Sequence, residues 1–397
     1  MTRGRILVTD GGERACLACV RSLGSAGWTV HVVADQRGSL ASASRHAAAE
    51  HVVPPALADP AGFRAEVARV VASVGAAVLL PIGEASLLAL GDDRSAFGQA
   101  VVPFPALATI QGAADKARVA EVARELGLAV PDTIVLDRAD ALDGAVLDSL
   151  PFPAVLKPAR SVRPDAAPGA KFAVSYAGDP AALRAAVASL PEAAFPLLLQ
   201  RRIEGVGAGV FLLVDGDDVL ASFAHRRLRE RPPSGGVSVY RESVALADEL
   251  RDAAAALLRG LGWRGVAMVE FKVDAATRRP YVMEVNPRLW GSLQLAIDAG
   301  VDFPVLLADW ALGRRSEPPA YRVGVRSRWL WGEVDHFLAR VRPRLADGFR
   351  PGLAEAKACL AQQLRDRGPC TRLEVLRRDD PRPFLRESVR WFRDVLR

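Results

Sequence analysis

The sequence predicts a mixed α/β and α+β architecture: a parallel α/β domain, then a region that contains a β-hairpin, then a basic C-terminal extension. Three observations carry this. Short apolar runs alternate with amphipathic helical runs up to about residue 112. A β-hairpin of two apolar runs brings two glutamates together near residues 266–285. The excess of positive charge is confined to the C-terminal fifth: residues 311–397 hold 20 Lys+Arg against 11 Asp+Glu, or +9, so a chain of net charge +6 carries −3 elsewhere.

In order along the chain, strands are expected at Ile6 to Thr9, Val30 to Ala34, His51 to Val53 and Ala77 to Leu80. Helices are expected through Leu23 and over Phe63 to Val74, which makes residues 1–112 a parallel α/β domain. Gly11-Gly12 and Pro81-Ile82-Gly83-Glu84 fall at strand carboxyl ends, where such sheets bind ligands; tight turns are the alternative. The composition, 50% hydrophobic over 397 residues, suffices for two or three domains. Four cysteines form no disulfide framework, and Cys16-x-x-Cys19 reads as two packed side chains on a helix. A soluble cytoplasmic protein is expected, because the N-terminus enters a strand with no secretory signal or spanning apolar segment.

The most informative feature is Asn286, the only asparagine in the chain, within Glu284-Val285-Asn286-Pro287-Arg288. Glu270 lies fourteen residues before Glu284 in the apolar run Val266 to Val273. A hairpin symmetric about Thr277 sets Glu270 opposite Glu284, with Asn286 on the same face. Like charges directly across a ladder repel unless a cation lies between them. Two carboxylates and an amide oxygen suit Mg2+, or Mn2+ in its place, with room left for phosphate oxygens. Arg288 adds a phosphate partner beside that ion.

Lysine is scarce: Lys116, Lys157, Lys171, Lys272 and Lys357 are the only five among 52 basic residues. Asp115-Lys116 opens an amphipathic stretch to Gly127, and Val155-Leu156-Lys157-Pro158 ends a short apolar run before a loop of small residues. These segments, with Gln200-x-x-Ile203-x-Gly205, Glu270 and Glu284-x-Asn286-Pro287-Arg288, resemble the ATP-grasp superfamily of ATP-dependent ligases and carboxylases, in the family's order from Asp115 to Arg288. The resemblance implies a pre-ATP-grasp domain over residues 1–112 and an ATP-grasp domain over 113–310. Its lid-bearing lobe would span about 113–198 and its metal-binding lobe about 199–310.

The resemblance further implies ATP and Mg2+ as cofactors. Lys116 and Lys157 would neutralise the nucleotide phosphates. Gln200, Arg201 and Ile203 would form the hinge, with the backbone of Arg201 and Ile203 on the adenine edge and Glu204 as the candidate for the ribose. Glu270, Glu284 and Asn286 would be the metal ligands. Pro168-Gly169-Ala170-Lys171 would be the lid tip. His225-Arg226-Arg227-Leu228-Arg229-Glu230, followed by prolines and glycines to Ser238, reads as an irregular loop. It would close over the γ-phosphate and a carboxylate, with Arg226, Arg227 and Arg288 as catalytic residues.

Gly260-Leu-Gly262-Trp-Arg-Gly265 matches the dinucleotide fingerprint, but it follows a helix and precedes a strand, the reverse of the required context. No P-loop and no Gly-x-Ser-x-Gly are present, which removes P-loop kinases and the serine hydrolases of that motif. In the C-terminal extension Phe384, Leu385, Val389, Phe392, Val395 and Leu396 make an apolar stripe between arginines. A packed cap is expected there, giving a homodimer contact or an acidic-substrate site, and neither nucleic acid nor membrane is expected as a partner. The function expected is an ATP-dependent carboxylate–amine ligase acting through an acyl phosphate on small carboxylate and amine substrates such as amino acids or peptides. Two alternatives are a carboxylase or carbamoyl-type enzyme that activates bicarbonate, and a non-catalytic ATP-binding regulator.

Overall fold

The computed structural model describes residues 3–162, 174–233, 235–315, 317, 319–366, 368 and 370–396. The expected lid tip, with Lys171, and Ser234 lie outside them.

Strands β1 (Arg5–Val8), β2 (Thr29–Ala34), β3 (Ala47–Val52) and β4 (Val78–Leu80) form a wholly parallel sheet in the order β3-β2-β1-β4. Helices α1 (Arg14–Ser25), α2 (Pro60–Val74) and α3 (Glu84–Ala89) connect it. Alternate residues of β1 enter different cores: Ile6 and Val8 pack with α1, Leu7 with α2. A strand buried on both faces is what a parallel sheet requires. The turn Pro81–Glu84 is filled from within, since Asp10 accepts from Gly83 N (2.7 Å) and Ser86 Oγ (2.7 Å). Gly11 is sterically required, because a Cβ there would lie 2.5 Å from Ser39 Oγ.

Helices α4 (Leu107–Ala114) and α5 (Lys116–Glu125) lead into a small antiparallel sheet of order β5-β8-β6-β7. Its strands are β5 (Thr133–Leu136), β6 (Ala154–Pro158), β7 (Ser175–Ala177) and β8 (Leu197–Arg201), with α6 (Gly144–Ser149) and α7 (Pro180–Ala188) between them. Asp115 starts α5 by accepting from Ala117 N and Arg118 N. This lobe has its own core, built from Leu136, Leu156, Leu183, Leu197 and Leu199.

A seven-stranded sheet of order β13-β12-β9-β10-β11-β14-β15 forms the centre of the molecule. It comprises β9 (Gly205–Asp215), β10 (Asp218–Arg231), β11 (Val237–Ser243), β12 (Gly265–Asp274), β13 (Pro280–Asn286), β14 (Arg326–Arg328) and β15 (Thr371–Leu373). Its helices are α8 (Asp248–Gly260), α9 (Leu293–Ala299), α10 (Phe303–Ala311), α11 (Leu330–Ala346), α12 (Phe349–Arg365) and α13 (Arg382–Val395). Gly260–Gly265 is the link from α8 to β12.

One expectation is corrected here. Residues 225–231 are not an irregular loop but the second half of β10. The segment after residue 311 packs into the body of the molecule, where β14 and β15 extend the central sheet and Val325 and Val375 join its core. Buried charge also ties it to α1: Arg21 donates to Asp380 Oδ2 (2.8 Å) and to the carbonyls of Glu374, Val375 and Asp380. No helix among the described residues is long and apolar enough to cross a membrane.

Candidate active site

The site is built on one face of the central sheet. Directly paired residues of an antiparallel ladder share a face, and one row reads Glu284, Glu270, Gly209, His225, Ser243 across β13, β12, β9, β10 and β11. Glu270 does stand opposite Glu284, by a route other than a symmetric turn. Phe271 pairs with Val282 and Val273 with Pro280, and a bulge at Met283 restores the register before Glu270. Asp274 holds the turn by accepting from Ala276 N and Thr277 N.

Cations surround the two carboxylates. Helix α5 packs along β13, which brings Lys116 Nζ to 3.7 Å from Glu284 Oε2 and 3.0 Å from Ser161 Oγ. Lys157, on β6, is 7% exposed. Burial lowers its pKa, against the pull of Glu284 and Glu270. Arg227 donates to Glu270 and to Glu230 (2.8 Å). To do so it reaches from β10 over β9, where Gly207 presents no side chain: a Cβ there would lie 3.2 Å from Arg227 Cδ. Burial and the facing Glu284 push the Glu270 carboxyl above its usual range, and Arg227 opposes the shift. Burial acts on Glu284 in the same direction, but Lys116, Lys157 and Arg227 outweigh it and hold Glu284 low. Two facing carboxylates, one disfavoured as an anion, form an electrostatic arrangement that another cation would relieve.

Asn286 donates to Glu284 Oε1 (3.2 Å), and its Oδ1 accepts from Arg288 Nη2 (3.2 Å). Arg288 is anchored by Leu289 O (3.0 Å). Three oxygen-bearing groups thus lie together on adjacent strand positions, and an amide flip would turn Oδ1 towards Glu284. Among the described residues no group of three His, Cys, Asp or Glu could hold a metal by itself. A pair of carboxylates and an amide fits an ion such as Mg2+ that completes its shell with phosphate and water.

At the hinge, Gln200 is buried and donates to Thr133 Oγ1 (2.9 Å). The Arg201 N–H is engaged within the protein, donating to Asp132 O (3.1 Å). Ile203 is buried beside it, and the Glu204 side chain is exposed.

The structure therefore brings Lys116, Lys157, Arg227, Glu270, Glu284, Asn286 and Arg288 together. It does not bring Arg226 to them. Strand alternation points Arg226 to the other face, where it pairs with Glu242 (2.6 Å). Arg229 leaves as well: a bulge turns it onto Glu333 (2.5 Å) and Asp366. His225 is buried edge-on against Phe211, and burial beside Arg227 and Arg241 keeps it well below the usual histidine range. Sequence reading missed Gly207 and Gly209, whose missing side chains make room for Arg227 and for the Phe211 and His225 rings. The period-two glycines at 205, 207 and 209 were the available signal.

Residues 194–332 match the model of a family described as ATP-grasp in the biosynthetic pathway with Ter operon. That match covers about a third of the chain, and over it the chain is similar to an ATP-grasp family. Its fold is shared with an L-amino acid ligase from Bacillus licheniformis (TM-score 0.61, 18% identity, covering 80% of this chain and 76% of that one). It is shared also with the ADP complex of the N5-carboxyaminoimidazole ribonucleotide synthetase purK (0.65, 13%, 92% and 98%). A biotin carboxylase from Campylobacter jejuni, solved with a nucleotide, is a third example (0.61, 16%, 81% and 74%). At these identities the ATP-grasp likeness is one of fold. No curated protein matches the sequence.

Proposed function

We propose that this chain is an ATP-grasp enzyme, an ATP-dependent carboxylate–amine ligase. The observation that carries the reading is the facing pair Glu270 and Glu284, with Asn286 beside them and Lys116, Lys157, Arg227 and Arg288 around them. Glu270, Glu284 and Asn286 would hold Mg2+, which when bound supplies charge neutralisation to the nucleotide phosphates. Lys116 and Lys157 would bind and orient those phosphates, while the hinge at Gln200 to Ile203 takes the base. Arg288 and Arg227 face the position where the γ-phosphoryl group would meet the substrate carboxylate.

The protein's contribution is placement and fixed positive charge, with no covalent intermediate on the chain. The carboxylate oxygen attacks the γ-phosphorus and ADP leaves. The amine then attacks the acyl phosphate carbon, and phosphate leaves with formation of an amide. The fold shared with an L-amino acid ligase supports amino acids as the first substrates to try.

The test is ADP release by the purified protein with Mg2+ and ATP across paired amino acids and small acids, with product masses read in parallel. Dependence of ADP release on one carboxylate and one amine, with a product at their summed mass less water, supports the ligase. Dependence on bicarbonate alone would establish the carboxylase reading instead.

A further inference from the structure

Helices α12 and α13 of the C-terminal region share one pattern. On α12 the exposed apolar residues are Phe349, Leu353, Leu360 and Leu364, at i, i+4, i+11 and i+15. On α13 Leu385, Val389 and Phe392, extended by Leu396, fall at i, i+4, i+7 and i+11, with Val395 exposed to one side. Helical geometry aligns each set in one stripe. These eight side chains are between 42% and 84% exposed, Phe392 while also lying edge-on to Trp331 and Trp391. Two continuous stripes of this kind exceed the scattered apolar residues of an ordinary surface.

Charge is segregated on both helices. Beside the α12 stripe lie Arg350, Lys357 and Arg365; beside the α13 stripe lie Arg382, Arg386, Arg390 and Arg393, all exposed. The acids turn inward. Glu355 pairs with Arg340 of α11 (2.5 Å), and Glu387 accepts from Trp329 Nε1 (2.8 Å). The remaining acid, Asp394, lies 4.0 Å from Arg390, and Arg386 donates to Gly38 O. The inner side of α13 is fixed by Trp391 stacked on Trp331 (4.2 Å) and by Trp331 Nε1 on Ser388 Oγ (2.9 Å). The outer arc is therefore presented on a held helix.

We propose that the exposed arc of α13 docks on an anionic lipid bilayer. Phenylalanine and leucine would enter the headgroup–acyl boundary while the adjoining guanidinium groups meet lipid phosphates. A second copy of the chain fits less well, because two such faces brought together would offer the four arginines of each α13 one outward acid, Asp394, which already lies beside Arg390. Nucleic acid would neutralise the arginines and leave the Phe and Leu side chains against water. The surface lies apart from the proposed ligase site, so the inference stands or falls independently of that activity, and it departs from the expectation that no membrane is involved.

The test is co-sedimentation of the full chain with vesicles of phosphatidylcholine alone or with about one-third phosphatidylglycerol. Partitioning should be about 100-fold stronger on the anionic vesicles, given several basic residues at the surface, and should fall as salt is raised to about 0.5 M. Leu385→Ser with Val389→Ser should weaken it at least about tenfold, and Arg382→Gln with Arg393→Gln similarly. All variants should keep the wild-type melting temperature, since the altered groups are exposed. The proposal is overturned if anionic vesicles leave the protein in the supernatant, or if both double variants bind like wild type. It is equally overturned by a dimer that the serine variant dissociates, or by a nucleic-acid complex, in a protein that does not bind vesicles.

Discussion

Arginine and carboxylate meet in two regions of this molecule with opposite results. In the seam between α1 and the C-terminal segment, the charges are closed on one another. Arg21 spends its donors on Asp380 and three carbonyls, and Arg14 donates to Glu374 (2.7 Å) while lying 3.8 Å above the ring of Trp329. Arg241, fully buried, donates to the same Glu374 and to Ser238 O (2.6 Å). At the candidate site the lysines stand off: the Lys116–Glu284 pair is 3.7 Å apart, and two carboxylates face each other across a ladder. Closed pairs hold elements together, while open ones leave charge for a ligand. Changes in the seam should therefore cost stability, and changes in the site should cost chemistry.

The largest expected effect is in the seam. Arg241→Ala leaves Glu374 buried with Arg14 as its one remaining ionic partner, and should destabilise by about 3–5 kcal/mol in denaturant titration. A loss below about 1 kcal/mol would mean the seam is not holding the C-terminal segment. Next comes the site: Glu284→Gln or Asn286→Ala should lower ADP production by at least about 100-fold, with the melting temperature of the nucleotide-free protein retained. Equal loss of stability in both regions would erase the distinction. A third effect is on binding. Mg2+ with ATP should raise the melting temperature by linkage, and Lys157→Ala should remove most of that rise.

The smallest effect sharpens the comparison at the edge of the seam. Burial raises the Glu387 pKa to about 7, and its Oε2 has no hydrogen-bond partner. A folded pKa above the unfolded value means the native state holds the extra proton, so stability is full below about pH 4.5 and declines as pH rises towards 7. Glu387→Gln keeps an acceptor for Trp329 and removes the charge. It should stabilise the protein at pH 8 by on the order of 1–3 kcal/mol and much less at pH 5. Equal effects at both pH values would show that the carboxyl does not titrate in this range.

What the sequence disclosed follows from the range of the interactions. The parallel sheet and the Glu270–Glu284 hairpin were legible because period and turn are local. Residues 225–231 were misread because Pro232, Pro233, Gly235 and Gly236 dominated the window, although they occupy only the turn. The β10 bulges, which separate Arg227 from Arg229, carry no composition signal. Strands β14 and β15 are three residues each and rich in arginine, so neither reads as a strand. The seam joins residues more than 350 positions apart, which no local pattern records.

The central claim is phosphoryl transfer to a carboxylate, and hydroxylamine trapping tests it most directly. The protein is incubated with ATP, Mg2+ and each member of a panel of amino acids and small acids, with hydroxylamine in place of the amine. One acid, or one chemical class, should give a hydroxamate in step with ADP, and Glu284→Gln should give neither. ADP release with no hydroxamate from any acid, or hydroxamate formed equally by Glu284→Gln, would contradict the account.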